Sequence, residues 1–164
     1  MFGEAALGTV KITSMIMLVV IAASFLNFTL ASAGLGRELQ AFMDGLGLSP
    51  FGTILVVVCI YIVLGFFIET LSLMVVTIPI IVPLVVAQGY DPIWFGILMI
   101  VLIEMALITP PVGLNLYVVQ GARKSGQMSD VMLGAIPYVF AMLIMVAALI
   151  AFPQIALMLP DALN

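Results

Sequence analysis

Apolar residues form long runs along this chain, at about residues 12–33, 51–68, 71–88, 94–120 and 131–152. Most of these runs approach or exceed the roughly 20 residues that an α-helix needs to cross the hydrocarbon core of a bilayer. The pieces between the runs contain nearly all of the charged residues. The pattern predicts an all-α fold, a polytopic bundle of transmembrane helices surrounded by a lipid bilayer.

Capping residues mark three of the predicted helix starts. Ser49-Pro50 and Asp91-Pro92 each place an N-capping side chain before a proline at the first helical position. Ser129-Asp130 predicts a third start, with Ser129 as the cap and an acidic residue in the first turn. Tyr90 and Trp94 flank the second start, where we expect them at the membrane–water interface.

Segment 71–88 is short for a membrane span, and two prolines interrupt it. Only Glu69 and Thr70 separate it from segment 51–68, which is too little for a loop that emerges into water. We interpret residues 51–88 as a re-entrant helical hairpin with its tip near Gly65–Ser72, since interrupted segments are typical of transporter sites. The alternative is a pair of ordinary spans joined by a tight turn.

Residues 105–117, Met-Ala-Leu-Ile-Thr-Pro-Pro-Val-Gly-Leu-Asn-Leu-Tyr, interrupt another apolar run. Because prolines have no N–H, Pro110 and Pro111 are expected to leave the carbonyls of Ala106 and Leu107 without helical partners. Such groups would cost several kcal/mol each in hydrocarbon, so the break must be buried in protein or line a cavity. Segment 89–121 is therefore predicted to be a broken transmembrane helix, of the kind from which secondary transporters build binding sites.

The ends of the chain complete the predicted organisation. Residues 1–50 would form a transmembrane helix and a connecting arm, and residues 122–164 a C-terminal transmembrane helix and an interfacial tail. Lys11, Arg123 and Lys124 fall on one side of the membrane and Arg37 on the other, which makes the Lys11 side cytoplasmic. Ala31-Ser32-Ala33 also resembles a signal-peptide cleavage site, but the preceding run is longer than a signal peptide normally has.

The composition limits the kinds of binding site that the chain can form. The chain is 65% hydrophobic and 7% charged, has no histidine, and has Cys59 as its single cysteine. This composition excludes a disulfide framework, ligation by histidine and most zinc sites. There is no basic patch for nucleic acid.

Two glutamates lie at membrane depth in the predicted fold. Glu69 at the hairpin tip would line an ion or substrate site, or else be hydrated if the tip lies close to the surface. Glu104 either faces the same cavity or accepts a hydrogen bond from a hydroxyl on a neighbouring helix. Hydroxyl and amide side chains cluster at the two chain interruptions, which favours ligation over simple helix packing.

Freed carbonyls, hydroxyls and at most one carboxylate form a set of hard oxygen ligands, which suits Na⁺ and does not suit a transition metal. The predicted Na⁺ ligands come from both interruptions and are Gly65, Glu69, Thr70, Ser72, Thr109 and Gly113. The free N–H groups where the helix restarts after Gly113 could bind an anionic group such as a carboxylate. The predicted substrate-binding residues are Glu69, Thr109 and Asn115.

Three stretches in order resemble one transporter family. They are Glu69–Pro83 (E-T-L-S-L-M-V-V-T-I-P-I-I-V-P), Gly89–Gly96 (G-Y-D-P-I-W-F-G) and Thr109–Tyr117 (T-P-P-V-G-L-N-L-Y). The chain resembles the C-terminal repeat of the large membrane subunit of tripartite ATP-independent periplasmic (TRAP) transporters. The resemblance implies that 51–88 is a hairpin opening outward and 94–120 a broken helix.

The same resemblance implies a function and an assembly. It implies Na⁺-coupled uptake of a small organic acid by an elevator-like movement, in a multi-pass subunit of the bacterial inner membrane. The implied partners are a periplasmic substrate-binding protein, a small four-helix membrane subunit and the N-terminal repeat of the large subunit. Similar transporters commonly have aspartate at the position of Glu69. The alternatives are a structural or assembly subunit without its own transport site, and a membrane-embedded enzyme, against which the lack of a charged cluster argues.

Overall fold

The structure is a computed structural model that describes residues 2–34, 38, 41, 45, 47–68, 70–123 and 125–163. Within these ranges it is all-helical, which confirms that the fold is all-α. The helices are α1 (Phe2–Ser32), α2 (Pro50–Gly65), α3 (Thr70–Ala87), α4 (Pro92–Ile108), α5 (Leu114–Arg123), α6 (Met128–Ala151) and α7 (Gln154–Leu163). Helix α7 occupies the region predicted as a tail, and α3 continues through both of its prolines.

Two of the three predicted helix starts are confirmed in detail. The Ser49 hydroxyl accepts a hydrogen bond of 3.2 Å from the Gly52 N–H, and Pro50 begins α2. The Asp91 carboxylate accepts hydrogen bonds of 2.7 and 3.0 Å from the N–H groups of Ile93 and Trp94. Both caps satisfy N–H groups that the first turn of a helix leaves without an internal partner.

The third predicted start is displaced by two residues. Helix α6 has Gln127 as its N-cap, and Ser129 lies inside the first turn, so the prediction of Ser129 as the cap is wrong. The Asp130 side chain accepts a hydrogen bond of 3.1 Å from the Gln127 N–H, which completes a capping box. The side chain of a residue three positions after the cap can accept a hydrogen bond from the N–H of the cap residue. This bond to Asp130 makes Gln127 the N-cap in place of Ser129.

Helix α4 forms the centre of the bundle. It contacts α2, α3, α5, α6 and α7. A helix that is apolar on all sides is stable in the middle of a protein, and most side chains of α4 are buried. Its buried residues are Trp94, Phe95, Leu98, Met99, Val101, Leu102, Ile103, Met105, Ala106 and Leu107.

A hydrogen bond fastens the start of α4 to the end of α6. The Trp94 indole N–H donates a 2.8 Å bond to the carbonyl of Leu149. That carbonyl would normally bond to the N–H four residues later, but residue 153 is a proline and has none. Trp94 is 1% exposed and its indole N–H has a partner inside the protein, while its location at the membrane–water interface stays a prediction.

A buried polar contact joins α2, α3 and α4. The hydroxyls of Tyr61 and Thr77 share a hydrogen bond of 2.7 Å. The Tyr61 hydroxyl also lies 3.1 Å from the sulfur of Met99. Because buried hydroxyls are expensive without partners, this contact fixes how the two hairpin helices pack on α4.

Three segments of the described helices are long and apolar enough to cross a membrane, Phe2–Leu26, Thr70–Ala87 and Met128–Ala151. Helices α2 and α4 are apolar but shorter. Large apolar side chains are exposed on several helices, for example Phe25 at 73% and Phe140 at 62%. Such surfaces are typical of contact with lipid or with other membrane helices.

The first prediction concerns topology. Helix α4 has 17 residues and spans about 26 Å, less than the roughly 30 Å of hydrocarbon, so a crossing between residues 88 and 125 must also include α5. We expect Gln88→Cys to react with a membrane-impermeant thiol reagent from outside and Ser125→Cys from inside. Cys59 is exposed and should first be replaced by alanine. Asp91 should be kept, because it caps α4. Labelling of both positions from one side would refute the predicted crossing.

Candidate functional site

The turn between α2 and α3 is short and tightly bonded. The N–H groups of Phe67 and Ile68 both donate bonds of 3.0 Å to the carbonyl of Leu64, which ends α2. Helix α3 begins at Thr70. The turn therefore falls within the predicted tip, Gly65–Ser72. Glu69, the acidic residue of that tip, lies outside the described residues.

Gly65, the last residue of α2, is buried against α4. A Cβ atom built on Gly65 would lie 2.6 Å from the Cβ of Ala106 and 3.8 Å from the carbonyl oxygen of Ile103. Real Cβ atoms do not approach each other this closely, so the contact requires glycine at position 65. Gly65 was predicted as part of the ion site. Its partner Ala106 was not predicted, although a small residue facing a helix-terminal glycine is the usual sign of close packing in membrane proteins.

Thr70 connects the other side of the turn to the same part of α4. Its hydroxyl donates a hydrogen bond of 3.2 Å to the carboxyl oxygen Oε1 of Glu104. This is one of the two possibilities considered for Glu104, a bond to a hydroxyl on a neighbouring helix. Gly65 and Thr70 thus hold the turn against residues 103–106 of α4 from both sides.

Helix α4 ends at Ile108, one residue before the proline pair. The Thr109 hydroxyl donates a bond of 2.6 Å to the carbonyl of Met105. Its N–H donates a bond of 3.1 Å to the carbonyl of Ala106, so the expectation that this carbonyl lacks a partner is wrong. The last turn of α4 is tighter than a regular α-helix, because this bond joins residues three positions apart, as is common at helix ends. Within the described residues, no main-chain N–H bonds to the carbonyl of Leu107.

Gly113 lies directly over two of the carbonyl oxygens at the break. Its φ is +21°, and a Cβ atom built on it would lie 2.9 Å from the oxygen of Leu107 and 3.0 Å from that of Thr109. A side chain at position 113 would fill the space beside these oxygens. Helix α5 then begins with a bond of 2.9 Å from the Leu116 N–H to the Gly113 carbonyl.

The turn between α2 and α3 and the break both lie at the end of α4. Glu104 and Thr109 are five residues apart, about 7.5 Å along the helix axis and about 140° around it. Ser72 lies in the first turn of α3, at the end of the predicted tip, and is partly buried. The structure therefore places Gly65, Thr70, Thr109 and Gly113 on or beside the last two turns of α4.

Asn115 has different surroundings. It is exposed and lines a groove of about 540 Å³ between α5 and α6. The groove begins near the break at Ile108 and reaches Arg123 at the end of α5. Most of its other lining residues are apolar or small, among them Leu116, Val119, Val131, Gly134 and Ala135. The structure thus places Asn115 two residues beyond Gly113, in the groove between α5 and α6.

The chemistry of this region is that of oxygen ligands and main-chain dipoles. The carbonyls of Leu107 and Thr109, and the hydroxyls of Thr70 and Thr109, are oxygen atoms of the kind that alkali cations prefer. The first turn of α5 adds N–H groups, the positive end of a helix dipole. The residues present at the break thus fit a small hard cation and, beside it, an anionic group.

Comparison with known proteins shows the family to which this chain is similar. The family described as tripartite ATP-independent periplasmic transporter, DctM component, matches residues 2–155. The C4-dicarboxylate TRAP transporter large permease protein DctM of Vibrio cholerae is 35% identical over 93% of this chain. The sialic acid TRAP transporter large permease protein SiaM of Vibrio cholerae is 30% identical over 93% of the chain. The 2,3-diketo-L-gulonate TRAP transporter large permease protein YiaN of Escherichia coli is 27% identical over 93%.

These matches identify the class of protein, a membrane-embedded subunit of a transporter. The chain belongs to the family of DctM components of tripartite ATP-independent periplasmic transporters. It spans about a third of the length of the curated relatives that it matches, for example 34% of the C4-dicarboxylate permease and 36% of the sialic acid permease. The resemblance to a C-terminal part of the large subunit is confirmed.

The second prediction tests the contact between Gly65 and α4. Gly65→Ala would place a Cβ atom 2.6 Å from that of Ala106, so we expect a lower midpoint of thermal unfolding, by the equivalent of about 1–3 kcal/mol. Adding Ala106→Gly removes the opposing atom, and the double variant should be more stable than the sum of the two single effects indicates. Gly96→Ala, on α4 with nothing within 4 Å of the new atom, is the matched control and should be neutral or stabilising. A fully stable Gly65→Ala variant would contradict the close contact.

Proposed function

We propose that this chain forms the C-terminal part of the large membrane subunit of a Na⁺-coupled secondary transporter that takes up a small organic acid. The observation on which this rests is that the turn between α2 and α3 and the Pro-Pro-Val-Gly break both contact the last two turns of α4. Its location would be the bacterial inner membrane, as a multi-pass subunit. It would act as a transporter and not as an enzyme.

In this proposal α2 and α3 form a re-entrant hairpin. Helix α2 has 16 residues and a length of about 24 Å, short of the roughly 30 Å of hydrocarbon. A hairpin that enters and leaves on one side does not need helices of full length. Helices α4 and α5 would be the two halves of a broken transmembrane helix, since neither is long enough to cross alone and only residues 109–113 separate them.

The Na⁺ site would lie between the turn and the break. Thr70 and Thr109 would contribute hydroxyl oxygens, and Leu107 and Thr109 carbonyl oxygens, with Gly113 leaving room for the ion. The support for this is that the Gly113 main chain lies where a side chain would collide with both carbonyl oxygens. Gly65 would contribute through the tip main chain, Ser72 through its hydroxyl and Glu69 through its carboxylate.

The substrate would be a small organic acid bound beside the ion. The three relatives described above are named for C4-dicarboxylates, sialic acid and 2,3-diketo-L-gulonate, all of them organic acids. The first-turn N–H groups of α5 would face the substrate carboxylate, with Glu69, Thr109 and Asn115 as contacts. A periplasmic substrate-binding protein would deliver the acid, and a small four-helix membrane subunit and the N-terminal repeat of the large subunit would complete the assembly. Transport would proceed by an elevator-like movement.

Uptake measurements test this proposal directly. The chain would be assembled with its partner subunits in proteoliposomes and supplied with a panel of radiolabelled organic acids and the binding protein. We expect uptake of one acid that requires an inward Na⁺ gradient and disappears when K⁺ replaces Na⁺. Uptake that is independent of Na⁺ would refute the coupling, and absence of any uptake would favour an assembly subunit.

The third prediction concerns Thr109. Thr109→Val removes one hard oxygen at nearly constant shape, so the Na⁺ concentration for half-maximal uptake should rise about tenfold, the equivalent of one hydrogen-bond-sized interaction. The substrate concentration for half-maximal uptake should change much less. Thr29→Val is a matched control, because the Thr29 hydroxyl makes the same bond to the carbonyl four residues earlier, at 2.8 Å, but lies in α1. An unchanged Na⁺ response in Thr109→Val would place the ion elsewhere.

The fourth prediction concerns Glu69. If its carboxylate binds Na⁺ or substrate, Glu69→Gln preserves the shape and one oxygen but removes the charge, and uptake should fall by an order of magnitude or more, since charged groups at membrane depth usually have functional roles. Glu69→Asp should be the milder change, because it preserves the carboxylate. The measurement is the initial rate of Na⁺-driven uptake at equal amounts of inserted protein. Wild-type rates in Glu69→Gln, with an unaltered Na⁺ dependence, would exclude the proposed role.

A further inference from the structure

Glu104 is the one acidic residue within α4, and the sequence around it is apolar. Its neighbours Ile103 and Met105 are buried, and Glu104 is itself partly buried. A carboxyl group in apolar surroundings is unfavourable without a polar partner. In the described ranges the hydrogen bond that the structure gives to this side chain comes from Thr70, a residue 34 positions earlier in the sequence.

The direction of this bond fixes the orientation of the Thr70 hydroxyl. A hydroxyl has one hydrogen to donate and two lone pairs that accept. The Thr70 hydroxyl donates its hydrogen to Oε1 of Glu104 at 3.2 Å. Its lone pairs then point away from the carboxyl oxygen, toward the far side of the hydroxyl.

We propose that Glu104 is a positioning residue, which holds the Thr70 hydroxyl with its lone pairs directed toward the Na⁺ site. The inference rests on the proposed function, because it names a residue that supports the same ion site. Glu104 does not contact the ion. It acts on the ligand Thr70, in the way that residues behind a metal site commonly orient the ligands in front.

The position of the contact supports this role over simple packing. Thr70 is the first residue after the hairpin turn, and Gly65 holds the other side of the turn against Ala106. Glu104 lies three residues before Leu107, so the two share a face of α4 about 4.5 Å apart along its axis, and the Leu107 carbonyl belongs to the proposed ion site. Loss of the Thr70–Glu104 bond would therefore loosen the tip next to the break, while the apolar contacts of α2 with α4 remain in place.

A double-mutant cycle tests the proposal with two readouts, Na⁺-driven uptake and Na⁺-induced thermal stabilisation of the purified transporter. Glu104→Met replaces the carboxyl by an apolar side chain of similar length, and Thr70→Val removes the hydroxyl. Each single change should raise the half-saturating Na⁺ concentration by about tenfold or more, the usual effect of losing a residue that orients a metal ligand. The Na⁺ response of the double variant should resemble that of each single variant. Without Glu104 the Thr70 hydroxyl is no longer oriented, and without Thr70 there is no hydroxyl to orient.

Two conservative variants separate positioning from general structural damage. Glu104→Gln retains an oxygen acceptor for the Thr70 hydroxyl, and Thr70→Ser retains the hydroxyl, so both should remain within about threefold of the wild-type Na⁺ response. At saturating Na⁺ the substrate half-saturation should be unchanged in all four variants. Should Glu104→Met fail to insert, Glu104→Gln and Thr70→Val still give opposite predictions for the Na⁺ response.

The outcomes distinguish this inference from the proposed function. Wild-type uptake and stability that do not respond to Na⁺ would refute both the coupling and the role of Glu104. A normal Na⁺ response in the wild type, with no change in Glu104→Met, would refute the role of Glu104 alone. Effects of Glu104→Met and Thr70→Val that multiply in the double variant would show that the two residues act independently, which also contradicts the proposal.

Discussion

The structure depends on how its main-chain carbonyls are satisfied in apolar surroundings where prolines have removed the usual N–H donors. An unpaired carbonyl in such surroundings costs several kcal/mol, so each proline requires a local solution. After Pro153 removes the helical partner of Leu149, the Trp94 indole N–H takes its place at 2.8 Å and joins the two ends of α4 and α6. At Pro110 and Pro111 the Ala106 carbonyl accepts the Thr109 N–H, whereas among the described residues Leu107 receives no main-chain bond. Near Pro153 the Leu149 carbonyl thus joins two helices through a side-chain hydrogen bond. At the proline pair, the Leu107 carbonyl has no main-chain partner among the described residues.

The central position of α4 sets how the neighbouring helices pack. It is buried on most of its circumference, with a more exposed strip that includes Ile93 and Ile100, and so leaves its neighbours little freedom in how they approach. Where a close approach is needed, the facing residues are small, as Gly65 and Ala106 are, and where a polar side chain is buried, a hydroxyl is supplied, as Thr70 is for Glu104. In the proposed transporter, the oxygens of the turn and of the break would therefore keep a fixed relation to each other while the whole unit moves.

Much of the local structure could be predicted from the sequence, because it depends on residues close together in the chain. The caps at Ser49 and Asp91, the turn after Gly65 and the end of α4 before the prolines all follow from short-range rules. Two features do not follow from such rules. Gln127 caps α6 in place of Ser129 because Asp130 reaches back to it, a competition within four residues that capping preferences alone do not decide. The hydrogen bond from Trp94 to the Leu149 carbonyl joins residues 55 positions apart, which no local pattern reveals.

Part of the candidate site could likewise be predicted from residues close together in the sequence, and part depends on contacts between distant residues. The clustering of hydroxyls and glycines at the two chain interruptions predicts a site that includes Gly65, Thr70, Thr109, Gly113 and Asn115. The structure places the first four on or beside the last two turns of α4 and Asn115 in the groove between α5 and α6. Nothing in the spacing of residues reveals that Thr70 faces Glu104, since 34 residues and a reversal of chain direction separate them. Yet the composition requires some such pairing. With no histidine and four basic residues in the chain, few cations are available to a carboxyl at membrane depth, and a hydroxyl is the polar partner that an apolar helix most readily accommodates. A neutral partner has a consequence for the proposed transporter, because a hydroxyl adds no positive charge of its own beside the site where the ion would bind.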